Sequence, residues 1–271
     1  MQGRLSPRPS QGLQAFPWHT WAAEFDQAST LGLDGIEWLL PADRHAENPI
    51  RSDNGRDRIR EVATATGVGV LSVCADYFME HPFFRVSTAE QAESVSVLMT
   101  LVGEARAVGA ATILVPVLET SEIRSERERD ELVACLREPL ALARSINLTL
   151  GIETELPADA FLALIEALNH DYARVYYDTG NAAAKGYDIA ADARRLAPYL
   201  CGVHVKDRQL NGPSVLLGSG AADFPGFFDA LGEAGYRGPI VLQSAFGADY
   251  LQDARTNLDF VRRQLDRTVT R

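Results

Sequence analysis

The sequence is poor in cysteine and in long apolar runs. Its three cysteines, Cys74, Cys135 and Cys201, are odd in number and far apart along the chain. This pattern argues against a disulfide scaffold and against a zinc site built from thiolates. No run of about 18 apolar residues occurs, and the N-terminal stretch "MQGRLSPRPS" has no apolar signal core. We therefore expect a cytoplasmic protein with reduced thiols and no membrane contact.

Positive charge is also scarce. The chain has 26 Lys and Arg residues against 37 Asp and Glu residues, which gives a formal net charge of −11. Proteins that wrap DNA or RNA need a basic surface, so we expect no nucleic-acid partner. The charge does not exclude a small phosphorylated ligand held in one local pocket.

The 271 residues contain no linker or low-complexity tract. Instead, short apolar runs alternate with longer stretches of helical spacing, typical of parallel strands joined by helices. Eight strands are predicted, with the sequences "QGRL", "DGIEW", "GVGVLSVC", "ATILVPV", "NLTLGIE", "ARVYYD", "LCGVHVKD" and "GPIVLQS". Eight such units over residues 1–271 predict a single-domain α/β protein, a (β/α)8 TIM barrel.

Two of the predicted helices begin with a capping-box spacing. Thr88 is followed by Gln91, and Ser125 is followed by Glu128. A third helix is expected to end at Gly67, where glycine permits the left-handed backbone of a helix C-terminus.

Polar side chains stand at the ends of the last four predicted strands. Glu153 ends the fifth, Asp178 ends the sixth, His204 lies near the end of the seventh, and Gln243 ends the eighth. Neighbouring strands are only about 4.8 Å apart, and catalytic groups of such barrels gather at the carboxyl ends of the strands. We therefore predict that these four residues bind one divalent metal ion. Oxygen-rich ligands with a single imidazole favour Mn²⁺, with Mg²⁺, Co²⁺ and Zn²⁺ as alternatives.

The segments "GIE", "YDTGN", "HVKD" and "LGSGAADF" resemble the xylose isomerase-like barrel superfamily of sugar phosphate isomerases and epimerases, also called the AP endonuclease family 2 barrels. The resemblance covers nearly the whole chain and is strongest over residues 148–246. It implies a divalent metal held by Glu153, Asp178, His204 and residue 243. The ketose 3-epimerases of this superfamily have Glu at the last position, where this chain has Gln243.

This departure bears on the reaction. Glu153 matches the glutamate that removes a proton from the carbon next to a metal-polarised carbonyl. Gln243 can offer an oxygen to a metal, but an amide cannot exchange a proton as a carboxyl does. Epimerisation then needs another acid or base. We predict Glu155 as the second catalytic residue, because it lies two positions past Glu153 on the same side of an extended chain. The other candidates for this role are Glu119, Asp76 and Glu37.

Other polar groups near the strand ends suit a sugar or a sugar phosphate as the small-molecule partner. The predicted substrate-binding residues are Arg4, Asp76, Asn181, Lys206 and Arg208. The loop at residues 217–223, "LGSGAAD", could present backbone amides to an anion before a helix. Homodimeric and homotetrameric assembly both stay open.

The sequence thus predicts a metal-dependent isomerase or epimerase of a ketose that acts through an enediolate. The first alternative is a metal-dependent dehydratase of a cyclitol or keto sugar acid. A sugar-binding barrel without catalysis and a DNA-repair phosphodiesterase are further alternatives. The phosphodiesterases of the superfamily use more histidine and carboxylate ligands, and this chain has only five histidines.

Overall fold

The computed structural model describes residues 1–7 and 14–269. Its strands are β1 Gly35–Leu39, β2 Gly69–Cys74, β3 Thr112–Val117, β4 Thr149–Thr154, β5 Ala173–Asp178, β6 Leu200–Val205, β7 Asp207–Arg208, β8 Ser214–Val215 and β9 Ile240–Leu242. Its α-helices are α1 Trp21–Leu31, α2 Asp53–Thr66, α3 Tyr77–Glu80, α4 Thr88–Ala107, α5 Glu126–Ser145, α6 Ala158–Leu168, α7 Thr179–Ala184, α8 Ile189–Leu196, α9 Phe224–Glu233 and α10 Tyr250–Val269. Short 3₁₀ helices span His45–Glu47, Pro49–Arg51, Glu119–Ser121 and Ala197–Tyr199.

Seven parallel strands form the sheet in the order β1-β2-β3-β4-β5-β6-β9. The N-terminal residues join its two edges. Gln2 forms a parallel bridge with Glu37 of β1, and its backbone N–H donates to Leu242 O of β9 at 3.1 Å. The predicted TIM barrel is therefore confirmed, although its first predicted strand is reduced to one bridging residue.

The strands are apolar because both of their faces are covered. All six residues of β3, "TILVPV", are buried. The helices between the strands turn their apolar sides to the sheet; α5, for example, buries Leu132, Leu136 and Leu140. Within the described residues, no helix is both long enough and apolar enough to cross a membrane.

The predicted helix ends are confirmed at two of three places. Ser125 caps α5 by accepting from the N–H of Glu128, and α2 ends at Gly67 with a φ of 71°. The predicted start at Thr88 is wrong by one residue. Ser87 is the cap, and it forms a capping box with Glu90 rather than with Gln91. Ser87 directly precedes Thr88 and has Glu90 three residues on, so the same spacing fits one residue earlier.

Candidate metal centre and active site

The four residues predicted as metal ligands stand at the same end of the barrel. Glu153 is next to last in β4, Asp178 ends β5, His204 is next to last in β6, and Gln243 directly follows β9. The parallel register aligns Asp178 with His204. All four side chains are buried, with at most 5 % of each residue exposed. The apolar strands thus carry four polar groups to one sheltered end of the barrel.

Three of these residues converge closely. One ligand atom from each of Glu153, Asp178 and His204 lies within 4.8 Å of the others. His204 Nδ1 is 3.7 Å from Glu153 Oε1 and 3.8 Å from Asp178 Oδ2. These separations are too long for hydrogen bonds. They leave space among the three atoms for a cation.

Several buried atoms at this end of the barrel make no hydrogen bond within the described part of the chain. They are Asp178 Oδ2, His204 Nδ1 and Gln243 Oε1. Lys206 Nζ lies 3.5 Å from Asp178 Oδ2. A buried polar atom without a partner costs about 1–3 kcal/mol, and a metal ion bound between Asp178 Oδ2 and His204 Nδ1, which lie 3.8 Å apart, would satisfy both atoms. The donor set therefore fits a divalent ion.

The Gln243 side chain is held by its amide nitrogen. Gln243 Nε2 donates to Gln2 Oε1 at 3.0 Å and to Gln14 Oε1 at 3.2 Å. Both bonds fix the amide with Oε1 as the atom that has no partner. Oxygen, rather than nitrogen, is the amide atom that binds a cation, so this orientation suits a ligand role.

Asp178 uses its two carboxylate oxygens differently. Oδ1 accepts from the backbone N–H of Asn181 at 2.8 Å and so caps α7. Oδ2 faces His204 and is without a hydrogen bond. One carboxylate therefore starts a helix and presents a ligand atom to the site.

Glu37 orients the His204 ring from the opposite side. His204 Nε2 lies 2.6 Å from Glu37 Oε1, which also accepts from Gln2 Nε2 at 3.1 Å. Glu37 Oε2 accepts from the Tyr176 hydroxyl at 2.6 Å and the Ser72 hydroxyl at 2.7 Å. With its oxygens so occupied behind the ring, Glu37 supports His204 and does not line the cavity described below. Such outer partners fix the tautomer of a metal-binding histidine.

The electrostatics of this pair follow from burial and charge. Burial by itself would raise the pKa of Glu37, but the charge of His204 and three side-chain hydrogen bonds outweigh it and lower the pKa to about 2. Burial would lower the pKa of His204, yet Glu37 and Glu153 raise it. Glu37 thus stays a carboxylate and keeps the proton on Nε2. Because Nε2 faces Glu37, Nδ1 is the ring nitrogen that faces Glu153 and Asp178.

A cavity of about 510 Å³ opens at this end of the barrel. Glu153 and Gln243 lie in its wall, together with the aromatic rings of Phe16 and Trp18. Its carboxylates are Asp43, Asp76, Glu80, Glu119 and Glu153, and its one cationic lining residue among the described residues is Lys206. A volume of this size accommodates a small organic substrate.

The predicted substrate-binding residues divide into two groups. Asp76, Asn181 and Lys206 line the cavity, and Lys206 Nζ donates to Asn181 Oδ1 at 3.2 Å. Arg208 lies just behind, where Nη1 donates to Asn181 Oδ1 at 3.1 Å. Arg4 is buried and donates to the backbone oxygens of Ser244 and Gln2. Neither arginine belongs to the cavity lining.

The structure does not bring Glu155, the predicted second catalytic residue, to the cavity. Its carboxylate pairs with Lys185 Nζ at 3.2 Å, and it is not among the lining residues. The chain bends after β4 ends at Thr154, so the alternation that would have aligned Glu155 with Glu153 stops there.

Backbone N–H groups of the glycine-rich loop after β8 bind the carboxylate of Asp207. Asp207 Oδ2 accepts from the N–H groups of Gly218 and Gly220 at 2.9 and 2.8 Å, and Oδ1 accepts from Ala222 at 3.2 Å. The backbone amides that could have held a phosphate therefore hold a carboxylate of the chain itself.

Sequence reasoning did not identify Gln14 and Trp18, which precede α1 and line the cavity. Gln14 Nε2 donates to Asp76 Oδ2 at 2.7 Å. No periodic pattern covers this segment, so only the pair of aromatic residues, Phe16 and Trp18, could have pointed to a ligand-facing surface.

Comparisons with known proteins agree with this architecture. A family model described as "Xylose isomerase-like TIM barrel" matches residues 25–264. L-ribulose-5-phosphate 3-epimerase UlaE of Escherichia coli O157:H7 (strain EC4115 / EHEC) is 26% identical over 236 residues, which cover 82% of this chain and 81% of that protein.

Two solved structures show the same fold. An L-ribulose 3-epimerase aligns with a TM-score of 0.79 at 17% identity, covering 100% of this chain and 95% of its own. The IOLI protein with a bound zinc atom aligns with a TM-score of 0.76 at 16% identity, covering 92% and 94%. With the family model spanning most of the sequence, the chain belongs to the xylose isomerase-like TIM barrel family.

Proposed function

We propose that this protein is a divalent-metal-dependent isomerase or epimerase of a sugar. The observation that carries the proposal is the group of unpartnered buried atoms, Asp178 Oδ2, His204 Nδ1 and Gln243 Oε1, beside Glu153. Two similar proteins, the UlaE protein and the L-ribulose 3-epimerase, are named as sugar epimerases, which supports the same class of reaction here. A divalent ion at this centre would polarise a carbonyl and stabilise an enediolate.

The residues of the chain then have distinct roles. Glu153 lies both in the ligand cluster and in the cavity wall, so its carboxylate can remove the proton from the carbon next to the carbonyl. Lys206 and Asn181, joined by their 3.2 Å hydrogen bond, would orient hydroxyl groups of the sugar. The surrounding aromatic and apolar wall would keep bulk water from the reacting carbon.

Metal removal is the first test. Dialysis against a chelator should abolish turnover and lower the melting temperature, and one equivalent of Mn²⁺ should restore both. A ligand present at 1,000 times its Kd stabilises the folded state by about 4 kcal/mol, so the shift should be several degrees. Elemental analysis measures the metal content, and thermal unfolding measures the shift in melting temperature. Full activity and unchanged thermal stability in a metal-free sample would contradict the proposal.

The reaction itself is tested by incubating the metal-loaded protein with ketopentoses, ketohexoses and their phosphates in D₂O. Deuterium at C1 indicates an isomerase, and deuterium at C3 indicates a 3-epimerase. A product lighter by one water would instead indicate a dehydratase, the second candidate. Gln243 favours that candidate because dehydration needs only one carboxylate base. Absence of deuterium and of product across the panel would refute the leading proposal.

The charges of the cavity favour an uncharged sugar over a sugar phosphate. Five carboxylates line it against one lysine within the described residues, and that lysine already lies near Asp178. Arg44 stacks on Trp18 at 4.2 Å, but it is paired with Glu47. The loop amides are bound by Asp207. A divalent ion held by Glu153 and Asp178 would offset the charge of only one of the five lining carboxylates.

We expect kcat/KM for a neutral ketose to exceed that for its terminal phosphate by at least about tenfold, which corresponds to about 1.4 kcal/mol. Coulomb repulsion between the phosphate and the carboxylates is the reason. Parallel assays of each ketose and its phosphate at one ionic strength measure the ratio. Inhibition by millimolar inorganic phosphate, or a preference for the phosphorylated sugar, would contradict this expectation while leaving the isomerase or epimerase assignment standing.

A further inference from the structure

Inversion at a carbon needs a proton donor on the side opposite the base. The inference rests on the proposed function, in which Glu153 is the base on one side of the carbon. Gln243, whose amide does not titrate, cannot be the second group. The remaining carboxyl groups of the cavity wall are Asp43, Asp76, Glu80 and Glu119.

Asp76 differs from the other three in its surroundings. Asp43, Glu80 and Glu119 are exposed, whereas Asp76 is partly buried. Its oxygens each have a donor. Oδ2 accepts from Gln14 Nε2 at 2.7 Å, and Oδ1 accepts from the Cys74 thiol at 3.1 Å. These bonds hold the carboxyl group in one position, as a catalytic acid requires.

Gln14 connects Asp76 to the proposed metal centre. The same amide that donates to Asp76 accepts, through Oε1, a hydrogen bond of 3.2 Å from Gln243 Nε2. The carboxyl of Asp76 is thereby fixed one side chain away from Gln243.

Asp76 and Glu153 also enter the cavity from different strands. Asp76 follows β2, Glu153 belongs to β4, and Pro116 of β3 lines the cavity between them. Two strand spacings separate the chain paths by roughly 10 Å, which leaves room for a sugar carbon between the two carboxyl groups.

We propose that Asp76 is the second catalytic residue, the acid that protonates the enediolate on the side opposite Glu153. The Glu153 carboxylate takes the proton as the carbon–hydrogen bond breaks, and the electron pair passes into the enediolate. Asp76 then gives its proton to the other side of the same carbon, where a new carbon–hydrogen bond forms. Glu153 is left protonated and Asp76 ionised, and exchange with water restores both.

The electrostatic surroundings are consistent with this assignment. Burial raises the pKa of Asp76, while the hydrogen bonds from Cys74 and Gln14 act in the opposite direction. A raised pKa shifts the carboxyl toward its protonated form, which is the direction that a general acid needs.

The test compares Asp76→Asn with Glu153→Gln in D₂O, using a ketose that the wild type epimerises. Asp76→Asn should lose epimer formation by about 100-fold or more, while recovered substrate still gains deuterium at the same carbon through Glu153. Glu153→Gln should lose both. Asp76→Glu, which keeps an acid, should form more epimer than Asp76→Asn.

Asp192→Asn is the matched control, because Asp192 is also partly buried and accepts a hydroxyl hydrogen bond, from Tyr177 at 2.8 Å, outside the cavity. It should epimerise at the wild-type rate. Epimerisation by Asp76→Asn within threefold of wild type would overturn the assignment, and so would a loss confined to KM. A wild type that forms only the aldose would also overturn it and leave the proposed function standing. A wild type with no exchange on any ketose would refute the proposed function instead.

Discussion

Replacing Glu153 by glutamine should lower kcat by about 10²–10⁴-fold, the range that general base catalysis contributes. The amide oxygen can still reach a metal, but it cannot take a proton. Deuterium uptake from D₂O into the substrate should fall in parallel. Because Gln keeps the shape of Glu, the variant should stay folded and retain about one metal ion per chain by elemental analysis.

Glu166→Gln is a suitable control, since Glu166 is exposed on α6 and lies outside the cavity. Its activity should equal that of the wild type. If Glu153→Gln keeps more than a tenth of the wild-type exchange rate while its metal content is normal, Glu153 is not the base.

Replacing Glu37 by alanine should have the largest effect on stability. Glu37 is 2 % exposed and accepts four hydrogen bonds, including the 2.6 Å contact with His204 Nε2. Breaking a buried charged pair from one side costs about 3–5 kcal/mol, because the remaining partner stays buried and uncompensated. Urea denaturation of the metal-free protein measures this loss in the free energy of unfolding.

The same variant should bind metal about 10–100-fold more weakly, the usual effect of losing the outer partner of a metal-binding histidine. Metal titration of the folded protein measures it. Glu61→Ala removes an exposed ion pair with Arg58, and should change neither quantity measurably. Equal stability of Glu37→Ala and Glu61→Ala would show that the Glu37 network is not a source of stability.

The sequence predicted the barrel because strand-helix alternation and apolar strands are local features. Glu153, Asp178 and His204 could be placed together because parallel strands end at the same edge. Asp178 caps α7 with one oxygen and turns the other toward the ligand cluster. Strand alternation does not extend past Thr154, and Glu155 pairs with Lys185.

Residues outside regular elements could not be placed from the sequence. Gln14 reaches Asp76 and Gln243 from a segment without periodicity, so its position depends on how the loop packs over the barrel. The position of Arg4 also depends on tertiary contacts, because its guanidinium donates to the backbone oxygens of Ser244 and Gln2.

The sequence by itself thus determined the repeating units, the strand ends and the chemical types gathered there, because each depends on residues near one another along the chain. Only the tertiary structure decided which imidazole nitrogen of His204 contacts Glu37 and which amide atom of Gln243 has no hydrogen-bond partner. It also decided which carboxyl groups line the cavity with Glu153. Those outcomes depend on contacts between residues as distant as Gln2 and Gln243, and closure of the barrel is what brings such residues together.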